Sequence, residues 1–207
     1  MLGADVLAGY FLTGRPPVPE EWAAVQRCLS ALPPAPQPPP APPAGAEPSW
    51  LRAWVDWGLA TVLDRLGPAT AARPPMPVPL PPPRCVPSAP RRRTAGPGQA
   101  GEGWVPWSLR MGRLASLALP GLDSVLHEAA RSAPLALARG AARAVLRRDY
   151  ATAARITRWL AWLEAEGAAP LVDASLLVRE ITLRGPEDSR CALDVAIARH
   201  LLERTNT

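Results

Sequence analysis

Proline decides which parts of this chain can fold. Of its 28 prolines, nine fall in residues 33–48 and eleven in 67–104. A proline ring removes a backbone donor and clashes with the preceding helical turn, so neither tract can form a helix interior or a central strand. Both tracts read as disordered linkers of extended polyproline character. The proline-poor remainder is free to be helical. The expected organisation is an N-terminal segment with a short helix (1–32), a proline-rich linker (33–48) and a Trp-rich amphipathic helix (49–67). A Pro/Arg/Gly-rich linker (68–104) and an all-helical C-terminal domain (105–207) follow.

Local signals place the helices. Pro19 followed by Glu20 and Glu21 makes a good helix start, with proline in the first turn and acids at the positive end of the dipole. Ser49 can cap the next helix and Gly67 can stop it. On that helix Trp50, Trp54, Trp57 and Thr61 share one stripe. Leu51, Val55, Val62 and Leu66 form an adjoining stripe, leaving only a narrow polar arc around Arg52, Asp56 and Asp64. So wide an apolar surface exceeds what one neighbour covers. It suits either a fully packed core helix or a face whose tryptophans bind a partner.

From Trp107 the pattern is helical to the end, with helices expected over 107–118, 121–131, 134–147, 151–165, 171–183 and 187–204. Ser132 before Pro134 and Gly185 before Pro186 mark boundaries. No stretch shows sustained alternation of β-branched residues, so a sheet is not expected. The class is all-α, a helical bundle or a set of repeat-like hairpins joined by long linkers.

Charge points to the middle of that domain. All 23 basic residues are arginine, and the net charge of +5 is uneven: residues 132–158 carry +5 and 159–207 carry −3. Arg139, Arg143 and Arg147 are four apart and line one helix face. Arg155 and Arg158 follow on the next helix. These arginines suit a solvated face, paired in part with Glu128, Glu164 or Glu166. They also suit a surface that grips an acidic peptide or a phosphate backbone, because guanidinium forks bind both bidentately. Trp159 and Trp162 could stack on bases, but core packing suits them better. With modest charge and no base-reading motif, an acidic or helical protein partner is favoured over nucleic acid.

The run Arg148-Asp149-Tyr150-Ala151-Thr152-Ala153, with Leu137 and Ala141 upstream, resembles the centre of a tetratricopeptide repeat. There an Asp-aromatic turn enters a helix whose close-packing position, here Ala153, is alanine. The match covers one hairpin. Gly140 and Thr157 stand where large apolar residues are usual, and Ala165 where the closing proline is. The resemblance implies protein–protein binding through helix surfaces.

The second linker carries short motifs. In Pro77–Arg84, Pro79, Pro82 and Arg84 fit the spacing of a reverse-orientation ligand for a Src-homology-3 domain, with Leu80 as an apolar tooth. Thr94, after Arg91–Arg93, is a candidate phosphorylation site.

Enzyme signals are sparse. Gly96–Gly101 satisfies the letters of a dinucleotide-binding loop but lacks a strand before it and a ribose-binding acid after it. His127 and His200 fit no metal-ligand spacing, and no nucleophile elbow is present. No catalytic residue, cofactor or metal is expected. Cys28, Cys85 and Cys191 are too few and too far apart for a disulfide framework, which suits a reducing compartment. The N-terminal apolar run is interrupted by Asp5 and has no basic residue ahead of it, unlike a secretory signal. The expectation is a soluble intracellular adaptor or assembly subunit, cytoplasmic or nuclear. A nucleic-acid-associated regulator using the same arginines is the alternative.

Overall fold

The computed structural model describes residues 3–15, 18–31, 38–66, 76–86 and 101–205. The chain divides into two compact units, Met1–Leu80 and Pro81–Thr207.

In the first unit a 3-10 turn, Gly3–Leu7, runs into α1, Ala8–Thr13. Gly14 stops α1 in a left-handed conformation (φ 64°), its N–H donating to the Tyr10 carbonyl at 2.9 Å. Sequence reading leaves this stretch without an element, yet Ala4, Leu7 and Ala8 are buried, and the turn packs on α3, Glu47–Leu66. Between them lies α2, Pro19–Ser30, with its proline and two glutamates in the first turn as the local signals require. The Tyr10 hydroxyl hydrogen-bonds to the Glu21 carboxylate, joining the starts of the unit.

Helix α3 begins two residues before the expected cap. Trp50 N–H donates to the Ala46 carbonyl, so Ser49 lies inside the first turn rather than capping it. The expected stop, Gly67, is outside the described residues. Trp50 and Trp54 are 0 % exposed and Trp57 6 %. Their rings meet edge to face, with centroids 6.4 Å apart for Trp50–Trp54 and 5.4 Å for Trp54–Trp57. Val55, Ala60, Val62 and Leu63 are buried as well, so α3 is a core helix on most of its circumference. Each buried indole removes roughly 200 Å² from water, on the order of 5 kcal/mol before the entropy of ordering it.

The second unit opens with a minimal parallel pair, β1 (Cys85–Val86) on β2 (Glu102–Gly103), where no strand was expected. Gly101 permits it: a side chain there would run into Val86. Six helices follow: α4 Trp104–Arg113, α5 Val125–Ser132, α6 Pro134–Leu146, α7 Tyr150–Ala165, α8 Ala174–Arg184 and α9 Ser189–Thr205. Pro106 sits in the first turn of α4, where its missing N–H costs no helical bond. The helix expected over 107–118 ends at Arg113 and tightens into a 3-10 turn, Ala115–Leu117. That expected over 121–131 starts only at Val125, because the Ser124 hydroxyl caps it by accepting from Leu126 N–H at 3.2 Å. Asp173 caps α8 in the same way through Leu176 N–H, moving its start from 171 to Ala174.

Helix α7 is the axis of this unit, packed against α4, α5, α6, α8 and α9. From Ala153 to Leu163 only Arg155 escapes burial. The Trp159 indole donates to the Met111 carbonyl of α4 at 2.8 Å. His127 of α5 is fully buried against Trp159 and Trp162, its ring centroid 5.4 and 4.9 Å from theirs. The all-α class holds among the described residues. No described helix is long and apolar enough to cross a membrane. Within the tracts expected to be disordered, residues 38–48, 76–86 and 101–104 follow defined paths.

Candidate functional site

The arginine face begins with α6. Pro134 presets its first turn, and Ala136, Leu137, Ala138, Gly140, Ala141 and Ala144 are buried, which leaves the other side to water. On that side Arg139 and Arg147 are exposed and Arg143 is half-buried. The helix ends by folding back on itself. Asp149 N–H donates to the Ala144 carbonyl and Arg148 N–H to Val145, both at 2.9 Å, with Arg148 in the left-handed region (φ 58°). This is the doubly bonded helix stop that usually carries glycine. Asp149 then caps α7 by accepting from Thr152 N–H at 3.1 Å.

A cleft of about 140 Å³ opens beside this turn, lined by Ser108 and Leu109 of α4 and by Arg143, Ala144, Arg147 and Thr152. Gly140 sets its floor. A Cβ there would stand 2.5 Å from Ser108 Cβ and Oγ, so only glycine lets α4 and α6 approach this closely. That close approach leaves no room for a large apolar residue at position 140. No ion pair joins Arg143 or Arg147 to an acid among the described residues, and the only carboxylate lining the cleft, that of Asp149, is engaged by a backbone N–H. The cleft is thus lined by two guanidiniums and the Thr152 hydroxyl against the single Asp149 carboxylate.

Arg158 does not belong to this surface, contrary to expectation. It is fully buried and donates from Nη1 to Asp194 Oδ1 at 3.1 Å and from Nε to the Ala118 carbonyl at 3.2 Å. Arg190 reaches the same carboxylate at 3.2 Å, and half-buried Arg155 lies 4.0 Å from its Oδ2. Arg155 and Arg158 therefore face the α7–α9 interface, leaving Arg139, Arg143 and Arg147 on the outer face. Of the acids expected to neutralise the hairpin, Glu166 pairs with Arg131 at 3.4 Å, and Arg131 also holds Asp123 at 3.0 Å. The Asp123 carboxyl is held below its usual range chiefly by that Arg131 hydrogen bond. Trp159 and Trp162 are 0 % exposed and offer no ring to a base.

Sequence reasoning missed an apolar feature of α8. Leu176 and Leu183, two turns apart, are 61 and 71 % exposed, while Leu177, Val178 and Ile181 on the other side are buried. A shallow groove of about 530 Å³ runs along the exposed side.

The remaining expected site residues fall elsewhere. Trp50, Trp54 and Trp57 are buried in the first unit, so none presents a free face. The Trp50 and Trp54 indoles both donate to the Leu80 carbonyl, at 2.7 and 3.2 Å. In the Src-homology-3-type motif Pro79 and Pro82 are buried and Leu80 and Arg84 exposed, so the two proline ridges that such a domain reads are not displayed. Thr94 and all of the Gly96–Gly101 loop but Gly101 lie outside the described residues. His127 Nδ1 lies 2.8 Å from Ser124 Oγ, but its Nε2 faces the Leu117 carbonyl at 3.0 Å rather than a carboxylate. The described residues bring together no group of acids, histidines and cysteines able to hold a metal. No family model, curated protein or solved structure matches the chain.

Proposed function

We propose that the protein is an adaptor or assembly subunit, and that an acidic segment of a partner protein docks on the outer face of α6. The observation that carries this reading is the cleft at Arg143 and Arg147, whose guanidiniums have no acid of their own chain as ion-pair partner among the described residues. Like charges four residues apart repel by a few tenths of a kcal/mol per pair, so the row Arg139, Arg143, Arg147 is retained at a cost to the helix. An acidic partner turns that cost into binding. The exposed leucines of α8 support the same class, since an apolar strip beside charged residues is the composition of a helix-docking surface. The tetratricopeptide-like turn at Arg148–Ala153 supports it too. Nucleic acid is the less favoured ligand because Arg158 is buried and both nearby tryptophans are covered.

A defined probe tests the reading. The intact protein is titrated with a fluorescent helical peptide rich in glutamate and, separately, with a single-stranded oligonucleotide of equal charge. The peptide should bind, with affinity lost in Arg143→Glu/Arg147→Glu. Binding of the oligonucleotide alone, or peptide binding unaffected by the double change, would contradict it.

A further inference from the structure

The tryptophans of α3 are engaged by an unusual ligand from the same unit of the chain. Residues 76–80, Met-Pro-Val-Pro-Leu, form no helix or strand, and one backbone atom, the Leu80 carbonyl oxygen, accepts from two indoles. Trp50 Nε1–H donates at 2.7 Å and Trp54 Nε1–H at 3.2 Å. The two donors sit four residues apart on one helical stripe, which aims both rings at the same point. Pro79, next to the acceptor, is buried, while the Leu80 side chain is 47 % exposed. The polar contact is therefore made by the backbone beside a buried proline, while the Leu80 side chain stays half-exposed.

This is the chemistry of polyproline recognition. A polyproline helix makes no internal hydrogen bonds, so its carbonyls stand free as strong acceptors at fixed spacing, and its prolines offer flat apolar ridges. Receptors for it combine aromatic walls with a side-chain donor that reaches a carbonyl. Indole supplies both in one group, with an apolar face and an N–H that needs a partner when buried. Trp57 packs edge to face on Trp54, centroids 5.4 Å apart, and holds that ring in place.

We propose that the Trp50–Trp54 face of α3 is a polyproline-binding site, that residues 76–80 fill it in cis, and that a proline-rich segment of another protein occupies it when that segment leaves. The chemistry requires only a left-handed extended backbone with a free carbonyl after a proline, so the site reads conformation more than sequence. The cis segment acts as a competitor at high effective concentration, and a ligand in trans must displace it. The inference does not rest on the arginine cleft and would survive its failure.

The test uses the full chain and a fluorescein-labelled peptide of residues 76–84, followed by anisotropy. A variant with Pro77→Gly and Pro79→Gly loosens the cis segment by raising its conformational entropy when free. It should bind the peptide at least tenfold more tightly than the wild type. Adding Trp50→Phe and Trp54→Phe, which keep an aromatic ring but delete both donors, should remove that gain. A Gly/Ser peptide of equal length should not bind. In the wild-type chain, hydrogen exchange at the Leu80 amide should accelerate severalfold with excess peptide, or when both tryptophans become phenylalanine. This second readout does not depend on the loosened variant folding. Equal peptide affinity in the wild type and the loosened variant, or full affinity with both tryptophans replaced, would overturn the proposal. So would a Leu80 exchange rate indifferent to peptide.

Discussion

Arg158 of α7 and Asp194 of α9 meet at 3.1 Å with both side chains wholly out of water. Removing one partner of such a pair strands the other charge, at about 3–5 kcal/mol. Asp194→Asn, which preserves shape, should lower stability by that amount in urea unfolding. Arg190→Gln, at the more exposed edge of the same carboxylate, should cost under about 1 kcal/mol. Equal, small losses for both would show that the pair does not hold α9 on α7.

Gly140 and Ser108 set the distance between α6 and α4. Alanine improves helix propensity by about 1 kcal/mol over glycine. A Cβ on residue 140 would nevertheless stand 2.5 Å from Ser108 Cβ and Oγ. Gly140→Ala should therefore destabilise by about 1–3 kcal/mol, the usual range for overpacking. Ser108→Gly added to it should recover part of the loss. Thermal unfolding of the two variants decides the matter.

Arg148 and Gly167 occupy the same place in two helix stops. Gly167, at φ 86°, donates to the Glu164 carbonyl, and Ala168 N–H donates to Leu163, both at 2.9 Å, as their counterparts do after α6. At Arg148 a side chain is forced into the left-handed region, which costs about 1 kcal/mol or more against glycine. Arg148→Gly should raise the midpoint of chemical unfolding. Gly167→Ala should lower it.

Glu164 gives the protein a pH signature. Its carboxyl is raised above the ordinary glutamate value, chiefly by burial, with Asp173 adding repulsion and a backbone N–H of Ala174 opposing. A carboxyl raised on folding binds more protons in the native than in the unfolded state over that range. Stability from this group is thus present below the unfolded value of about 4.3 and falls as pH climbs through the native one. Glu164→Gln should be more stable than the wild type at pH 7, with the advantage fading toward pH 4. Melting curves at several pH values test it.

The sequence carried the helices well because their signals are local. Pro19, Pro134 and the acid after Arg148 mark starts whatever lies across from them. Long-range partners were harder to read. Nothing near Trp50 or Trp54 announces that their indoles will meet a carbonyl at residue 80, so periodicity favoured a packed core but left partner binding open. Arg158 was taken for a surface cation, although its neighbours one turn away, Ala154, Ala161 and Trp162, are apolar. Asp194 sits in a similar stripe with Cys191, Ile197 and Ala198. Opposite charges placed singly on apolar stripes of two helices are the available sign of a buried pair. The cleft at Arg143 was half legible: the row of arginines was visible, but the close approach of α4 over Gly140 was not.

The central claim, that Arg143 and Arg147 hold a partner protein, is tested most directly by quantitative mass spectrometry of nuclease-treated native co-purifications. The intact chain and its Arg143→Glu/Arg147→Glu form are compared at equal expression, with circular dichroism confirming that both are folded. The account predicts a stoichiometric protein that accompanies the wild type and is lost from the double variant. The same proteins at the same ratios with both chains, or a partner that vanishes on nuclease treatment, would contradict it.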